Sequence, residues 1–243
     1  MLNRAVIKIS GEELSGNGEV FDDFKIDDIA GQLKALSGTE FSLIVGGGNF
    51  WRGRDSKPFI DRASSDQIGM LGTVMNGLYL AERFKLCGLN AVVMTPFPVG
   101  SFTKLFTREA AWEAMSRGYV VIHAGGIGPP SFSTDTIAAL RAAELAADCV
   151  FYAKHVDGVY ADDPRKNPAA KKFRRVTYKK IIEERLSAAD IAAMAISQEA
   201  GADSFLFGLR GKDSIVNACR AASGQDLLSG TMISVSCEEE YYV

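Results

Sequence analysis

The 243-residue chain lacks an apolar run long enough for a membrane helix. Its longest apolar stretches, such as residues 119–122 and 91–94, fall far short of the roughly 20 residues a span needs. It also lacks an excess of positive charge. The 27 Lys and Arg stand against 30 Asp and Glu, a formal net charge of −3, so no general basic footprint exists for nucleic acid or an acidic membrane. Its two histidines, His123 and His155, are too few for a histidine-rich metal site. The four cysteines, Cys87, Cys149, Cys219 and Cys237, have none of the close spacings that zinc or a redox CxxC requires. Reduced thiols in the cytoplasm are the expectation, and residues 1–4 lead into a strand rather than a signal peptide. No GxxxxGK followed by Ser or Thr occurs, neither glycine cluster matches GxGxxG, and no Ser-His-Asp triad is readable.

What is present is an ordinary globular composition. With 47% hydrophobic and 23% charged residues a sizeable core can be buried, and no segment reads as a linker, so one domain is expected. Short apolar, β-branched runs at 5–9, 41–45, 91–94, 119–122, 149–153, 204–207 and 232–236 read as strands. Helix-like stretches lie between them, at 26–36, 66–86, 107–117, 135–146, 178–186, 189–200 and 214–222. Alternation of this kind predicts a three-layer α/β/α sandwich around a mainly parallel sheet. In the second helix, Ile68, Leu71, Val74, Leu78 and Ala81 recur at helical spacing, which predicts a core-facing stripe, with Gly88 as the stop. The longest irregular piece is 154–177, and a loop of that length in a compact α/β domain is usually functional or mobile.

Ligands of an open parallel sheet bind beyond the carboxyl ends of its strands, and four strand exits here are unusual. In Lys8-Ile9-Ser10-Gly11 a lysine sits within an apolar strand, where an ammonium needs an anionic partner such as phosphate, or else snorkels from the strand end. In 46–53, three consecutive glycines let the backbone approach an anion, and Arg52 adds a forked cation. The third exit, 125–135, leads into a helix that Ser133, Thr134 or Asp135 could cap and whose start favours a phosphate. In the fourth, 154–164, Tyr160 could flank a base, while Asp157, Asp162 or Asp163 could hold a ribose or close turns.

Six ordered strings together resemble the amino acid kinase family, and within it the bacterial UMP kinases. They are KISGEEL (8–14), VGGGNFWRG (45–53), SDQIGMLGTVMNGL (65–78), FSTDTIAALRAAE (132–144), VDGVYADDP (156–164) and SGT (229–231). The resemblance implies the amino acid kinase fold over nearly the whole chain, with an acceptor-side lobe of about 1–147 and an ATP-side lobe of about 148–243. It implies that Lys8, Ile9, Ser10, Gly11, Gly48 and Arg52 hold the ATP phosphates, with Lys154, Tyr160 and Asp163 near the nucleoside end. Gly47, Asp66, Ile127, Gly128, Pro129, Pro130, Ser131, Phe132, Ser133 and Thr134 would line the UMP pocket. Lys8, Arg52 and Asp135 would carry the catalysis, Mg²⁺ would accompany ATP, and a hexamer sensitive to GTP and UTP would be the assembly.

Two departures bear on this. The family's Gly-Thr-Gly-Asn-Pro-Phe-Phe-Thr-Thr-Asp reads here as Gly126-Ile127-Gly128-Pro129-Pro130-Ser131-Phe132-Ser133-Thr134-Asp135, losing a hydroxyl and an amide. The family's Lys-Ala-Thr-Lys reads Tyr152-Ala153-Lys154-His155, so Tyr152 stands where a lysine is expected and Lys154 takes the threonine position. A kinase of the same fold with a different small acidic acceptor, and a nucleotide- or oxyanion-binding protein with little turnover, are the alternatives these departures raise.

Overall fold

The computed structural model describes residues 2–53, 57–187, 190–225 and 230–242. The expected Ala189 helix start and Ser229 of the SGT string lie outside the described residues. In chain order the elements are β1 (Arg4–Ile9), a 3-10 turn (Gly11–Leu14), α1 (Asp23–Ala35), β2 (Glu40–Val45), α2 (Arg62–Leu86), β3 (Ala91–Thr95), β4 (Lys104–Leu105), α3 (Arg108–Ser116) and β5 (Val120–His123). They continue with α4 (Thr134–Leu145), β6 (Cys149–Lys154), β7 (Phe173–Thr177), α5 (Tyr178–Glu183), α6 (Ile191–Ala200), β8 (Asp203–Gly208), α7 (Ser214–Ala222), β9 (Thr231–Ser234) and β10 (Glu240–Tyr241).

The strands form one sheet in the order β10-β7-β9-β8-β6-β1-β2-β5-β3-β4. From β4 to β8 every pairing is parallel, and β1 lies at the centre between β2 and β6. Among the described strands, antiparallel pairing enters at β8 with β9 and at β10 with β7. Because strand side chains alternate, each face of the sheet has its own core. Ala5, Ile7, Ile9, Phe151, Phe205 and Phe207 join residues of α1, α2 and α7 on one face. Val6, Ile44, Val150, Tyr152 and Leu206 join those of α4, α5 and α6 on the other. A smaller cluster seats α3 on β3 and β5 through Met94, Ala111, Met115 and Val121.

The helix ends follow local chemistry. Asp22, Asp61, Thr107, Ser133, Thr177 and Asp190 each accept a backbone N–H through the side chain and so begin α1 to α6. Ser133 is thus the residue of the 133–135 group that caps α4. Gly88, at φ 73°, follows the last turn of α2 as expected.

Two expectations are corrected. Ile68 and Leu71 are 39% and 53% exposed rather than core, and α2 turns Gly72, Thr73, Val74, Asn76, Gly77, Leu80 and Phe84 inward instead. The reason is close approach: a Cβ on Gly77 would stand 3.1 Å from Val93, and one on Gly72 3.3 Å from Phe50. The 154–177 piece is also not wholly irregular, since β7 occupies its end and pairs with β9 and β10. None of the described helices is long and apolar enough to cross a membrane.

Candidate active site

Four strand exits meet at the carboxyl edge of the sheet. The exit of β1 and that of β2 are pressed together: Gly46 N donates to Ile9 O at 2.9 Å. A Cβ on Gly11 would stand 2.6 Å from Gly48 N and 2.7 Å from Gly46 O. None of Gly46, Gly47 and Gly48 has a positive φ. Their lack of side chains serves close approach rather than unusual backbone conformation, and it leaves an opening where a polyanion can reach main-chain N–H groups.

The triple glycine is pinned from below by Asn76 of α2, which is fully buried. Its Nδ2 donates to Gly46 O at 2.6 Å and to Asn49 Oδ1 at 2.8 Å, while Asn49 Nδ2 donates back to Asn76 Oδ1 at 2.9 Å. One turn earlier, Thr73 Oγ1 accepts from Gly125 N at 2.7 Å, tying the β5 exit to the same helix. Sequence reasoning missed both residues. Their signal is two polar side chains on the sheet-facing side of α2, flanking Val74.

The charges gather on the α4 face. Lys8 and Asp135 are each 7% exposed. Lys8 Nζ lies 3.2 Å from Asp135 Oδ1 and donates to Ser10 Oγ at 2.9 Å. Lys154 Nζ donates to Asp135 Oδ2 at 2.6 Å. Asp135 therefore joins the ends of β1 and β6 from the first turn of α4. Burial pushes its carboxyl up, but Lys8 and Lys154 outweigh that and hold it below the ordinary carboxylate range. Burial draws the Lys154 ammonium below the usual lysine range, against the pull of Asp135.

Beside this cluster is a cavity of 120 Å³ lined by Gly47, Asp66, Ile127, Pro129, Pro130, Ser131, Phe132 and Thr134, with Trp51, Met70 and Thr73. Asp66 Oδ2 accepts from Ser131 N at 3.0 Å, and Arg62 Nε is 3.1 Å from both carboxylate oxygens. The 125–131 loop bends sharply around it, with Gly126 and Gly128 at φ 66° and 101° and Ser131 at 76°. Eight of the ten residues expected to hold an acceptor thus line one cavity. Gly128 lies within the same loop, and Ser133 is spent on the α4 cap.

Arg52 pairs with Glu12 at 2.8 Å beside Gly48, with side chains 36% and 51% exposed. An exposed pair of this kind is weak, so Arg52 can exchange Glu12 for a phosphate at little cost. Ile9 turns its side chain into the core on the α1 face. Tyr160 and Asp163 line a separate, smaller cleft. There Tyr160 Oη donates to Asp157 Oδ1 at 2.7 Å, and Asp163 accepts from Arg165 N and Nε at 3.0 Å. A larger cavity of 780 Å³ lies between the 3-10 turn, α1 and the start of α7, but none of Lys8, Asp135 and Lys154 lines it. Among the described residues no group of three His, Cys, Asp or Glu could hold a metal ion.

A model of the amino acid kinase family matches residues 3–208. The chain is 42% identical over 210 residues to a uridylate kinase of Bradyrhizobium sp. (strain ORS 278), covering 85% of this chain and 88% of the relative. It is 39% identical over 240 residues to the uridylate kinase of Streptococcus thermophilus, covering 97% and 96%. Its structure resembles that of UMP kinase from Bacillus anthracis with a TM-score of 0.92 at 29% identity, covering 100% of this chain and 99% of the other.

Proposed function

Because this chain belongs to the amino acid kinase family, we propose that it transfers the γ-phosphoryl group of ATP to UMP, giving ADP and UDP. The observation that carries this reading is the meeting of Lys8, Asp135 and Lys154 beside the 120 Å³ cavity, at the exits of adjacent strands. Phosphoryl transfer asks a protein to align two polyanions and neutralise the charge between them, which this arrangement does.

In this reading Lys8 through Gly11, with Gly48 and Arg52, hold the ATP phosphates. Tyr160 and Asp163 lie toward the nucleoside, with Lys154 between them and the transferring group. UMP occupies the cavity of Gly47, Asp66 and 127–134, with Asp66 on its sugar and Thr134 at its phosphate. The acceptor phosphate is already anionic at neutral pH, so its oxygen attacks without a general base. The backbone N–H groups at Gly11 and Gly48 act as fixed dipoles toward the charge that develops. Mg²⁺ bound to the ATP phosphates supplies further neutralisation. The lobe of about 1–147 presents the acceptor and that of about 148–243 presents ATP.

A cytoplasmic setting is supported by four unpaired cysteines. The working unit is an oligomer, a hexamer by resemblance, with GTP and UTP as effectors. The exposed stripe of Ile68, Leu71, Met75 and Tyr79 along α2 supports subunit contacts. A sizing measurement that returned a monomer would remove that part.

The test is ADP release from ATP with a panel of nucleoside monophosphates, acetate, carbamate and amino acids. Release with UMP is expected. Release with another acceptor but not with UMP would overturn the assignment, and ATP binding with no release under any condition would leave a binding protein.

A further inference from the structure

We propose that α2 fixes the distance between the donor and acceptor phosphates, with Asn76 and Thr73 as the positioning residues through which it holds one loop on each side of the reaction. The proposal rests on the kinase reading above and adds no reacting group to it.

Both residues lie on the sheet-facing side of α2, on either side of buried Val74. Asn76 is fully buried and Thr73 is 5% exposed. A polar side chain buried within a helix costs stability unless it is hydrogen-bonded. Here the partners are the backbones of two crevice loops.

Asn76 governs the donor side. Gly46 O can only accept, so it fixes which end of the Asn76 amide faces it: Nδ2 donates there at 2.6 Å. The rest of that amide then meets Asn49 in a reciprocal pair. Asn76 Nδ2 donates to Asn49 Oδ1 at 2.8 Å, and Asn49 Nδ2 donates to Asn76 Oδ1 at 2.9 Å. The second N–H of Asn49 ends on Val20 O at 3.1 Å, so both donors of that amide are used. Through this chain α2 grips residues 46 and 49, the two flanks of the glycine run to which the ATP phosphates are assigned.

Thr73 governs the acceptor side. Its hydroxyl has one proton, which goes to Met70 O at 2.6 Å, and a lone pair is left for Gly125 N at 2.7 Å. Gly125 opens the bent loop that carries Gly126, Ile127 and Pro129 around the 120 Å³ cavity. Between the two grips the glycine run lies directly on the helix backbone. A Cβ on Gly47 would stand 2.5 Å from Gly69 O and 3.3 Å from Thr73 N.

Three residues of helix span about 4.5 Å along the axis. A helix of 25 residues anchored in the core by Val74, Leu80 and Phe84 holds that spacing constant. Phosphoryl transfer needs the attacking oxygen about 3–3.5 Å from the γ-phosphorus, and a displacement of about 1 Å costs about 10²-fold in rate. Glycine-rich loops have few side chains with which to hold such a tolerance, so a rigid element that grips both supplies it.

The test is steady-state kinetics of the full chain with ATP and UMP for Thr73→Val, Thr73→Ser, Asn76→Ala and Asn49→Ala, with thermal unfolding as the folding control. Thr73→Val keeps the shape of the side chain and removes the acceptor of Gly125 N. It is expected to lower kcat by about 10–10²-fold and to raise the KM for UMP, with the KM for ATP within about threefold of the parent. Thr73→Ser keeps the oxygen and is expected to recover kcat to within about threefold. Asn76→Ala is expected to lower kcat to a similar degree with the split reversed, raising the KM for ATP and sparing that for UMP. Asn49→Ala removes the other half of the amide pair, is expected to follow the same pattern, and decides the donor side if Asn76→Ala does not fold. A helix that merely supported the fold would lower the unfolding temperature and leave kcat per folded molecule and both KM values unchanged. Folded Thr73→Val and Asn49→Ala with parental kcat, a serine variant as slow as the valine one, or both KM values rising together in either variant would overturn the proposal. A parent protein inactive with ATP and UMP would instead remove the kinase reading itself.

Discussion

Single residues at the rim of the proposed acceptor cavity would set what it can tell apart. Ile127 and Pro129 line that cavity and bring no side-chain hydrogen-bonding group to it. Two polar side chains beside them are already engaged: Ser65 Oγ accepts from Trp51 Nε1 at 2.9 Å, and Thr73 Oγ1 donates to Met70 O at 2.6 Å. A hydroxyl or amide that pairs with one base and is left unpaired by another is worth about 1–3 kcal/mol of discrimination. Ile127→Thr with Pro129→Asn is therefore expected to raise the UMP-to-CMP ratio of kcat/KM by about 10-fold or more. Paired measurements of the two nucleotides check this, and an unchanged ratio would mean that main-chain groups do the reading. The candidate site was legible at this scale because Lys8, the glycine run and 126–135 are odd residues at strand exits. Asn76 and Thr73 were not, because a polar residue inside a helix shows its purpose only once the helix is laid across Gly46 and Gly125.

Whole elements were legible in kind, and less so in which face they bury. The parallel core strands and the seven described helices follow the apolar runs of the sequence, and six of those helices begin at a side-chain cap. The strands β4, β7 and β10 did not stand out. The first and last are two residues long, and β7 carries Arg174 and Arg175 between its buried Phe173 and Val176. Helix α2 misleads in its first half, where Ile68 and Leu71 of the apolar period point outward, whereas Val74 is buried and Leu78 and Ala81 pack against the core. A related tertiary effect governs α7. Its N-cap position, Asp213, makes no side-chain cap. The acceptor comes instead from α1, where buried Gln32 Oε1 takes Ile215 N at 2.6 Å and Val216 N at 3.4 Å. Gln32→Leu would leave those N–H groups buried without a partner, at a cost of about 1–3 kcal/mol. The expected result is a lower urea midpoint with ATP turnover at 25 °C within about twofold of the parent. An unchanged midpoint would show that α7 does not depend on this cap.

At the scale of the molecule, the response of stability to acid is set by a residue outside the crevice. His123 ends β5, between β2 and β3, and is 3% exposed, with Nε2 2.7 Å from Ser42 Oγ and its ring 5.1 Å from that of Phe106. Burial, helped by the nearby Arg141 charge, lowers its pKa to about 3. The unfolded chain would titrate it near 6.5. Since the folded value is the lower one, the unfolded state binds the extra proton. Stability is therefore fully present above about pH 6.5 and declines as pH falls toward 3. Asp135 and Asp157 are also held below their ordinary values, and their contribution is lost only on further acidification, through the carboxylate range. Between pH 7 and pH 5 the histidine alone should cost about 2 kcal/mol. Urea unfolding at the two pH values, for the parent and for His123→Gln, isolates it. The variant is expected to be less stable at pH 7 but to lose about 2 kcal/mol less on acidification. Parallel losses in the two proteins would mean that His123 takes up its proton without unfolding the sheet around it.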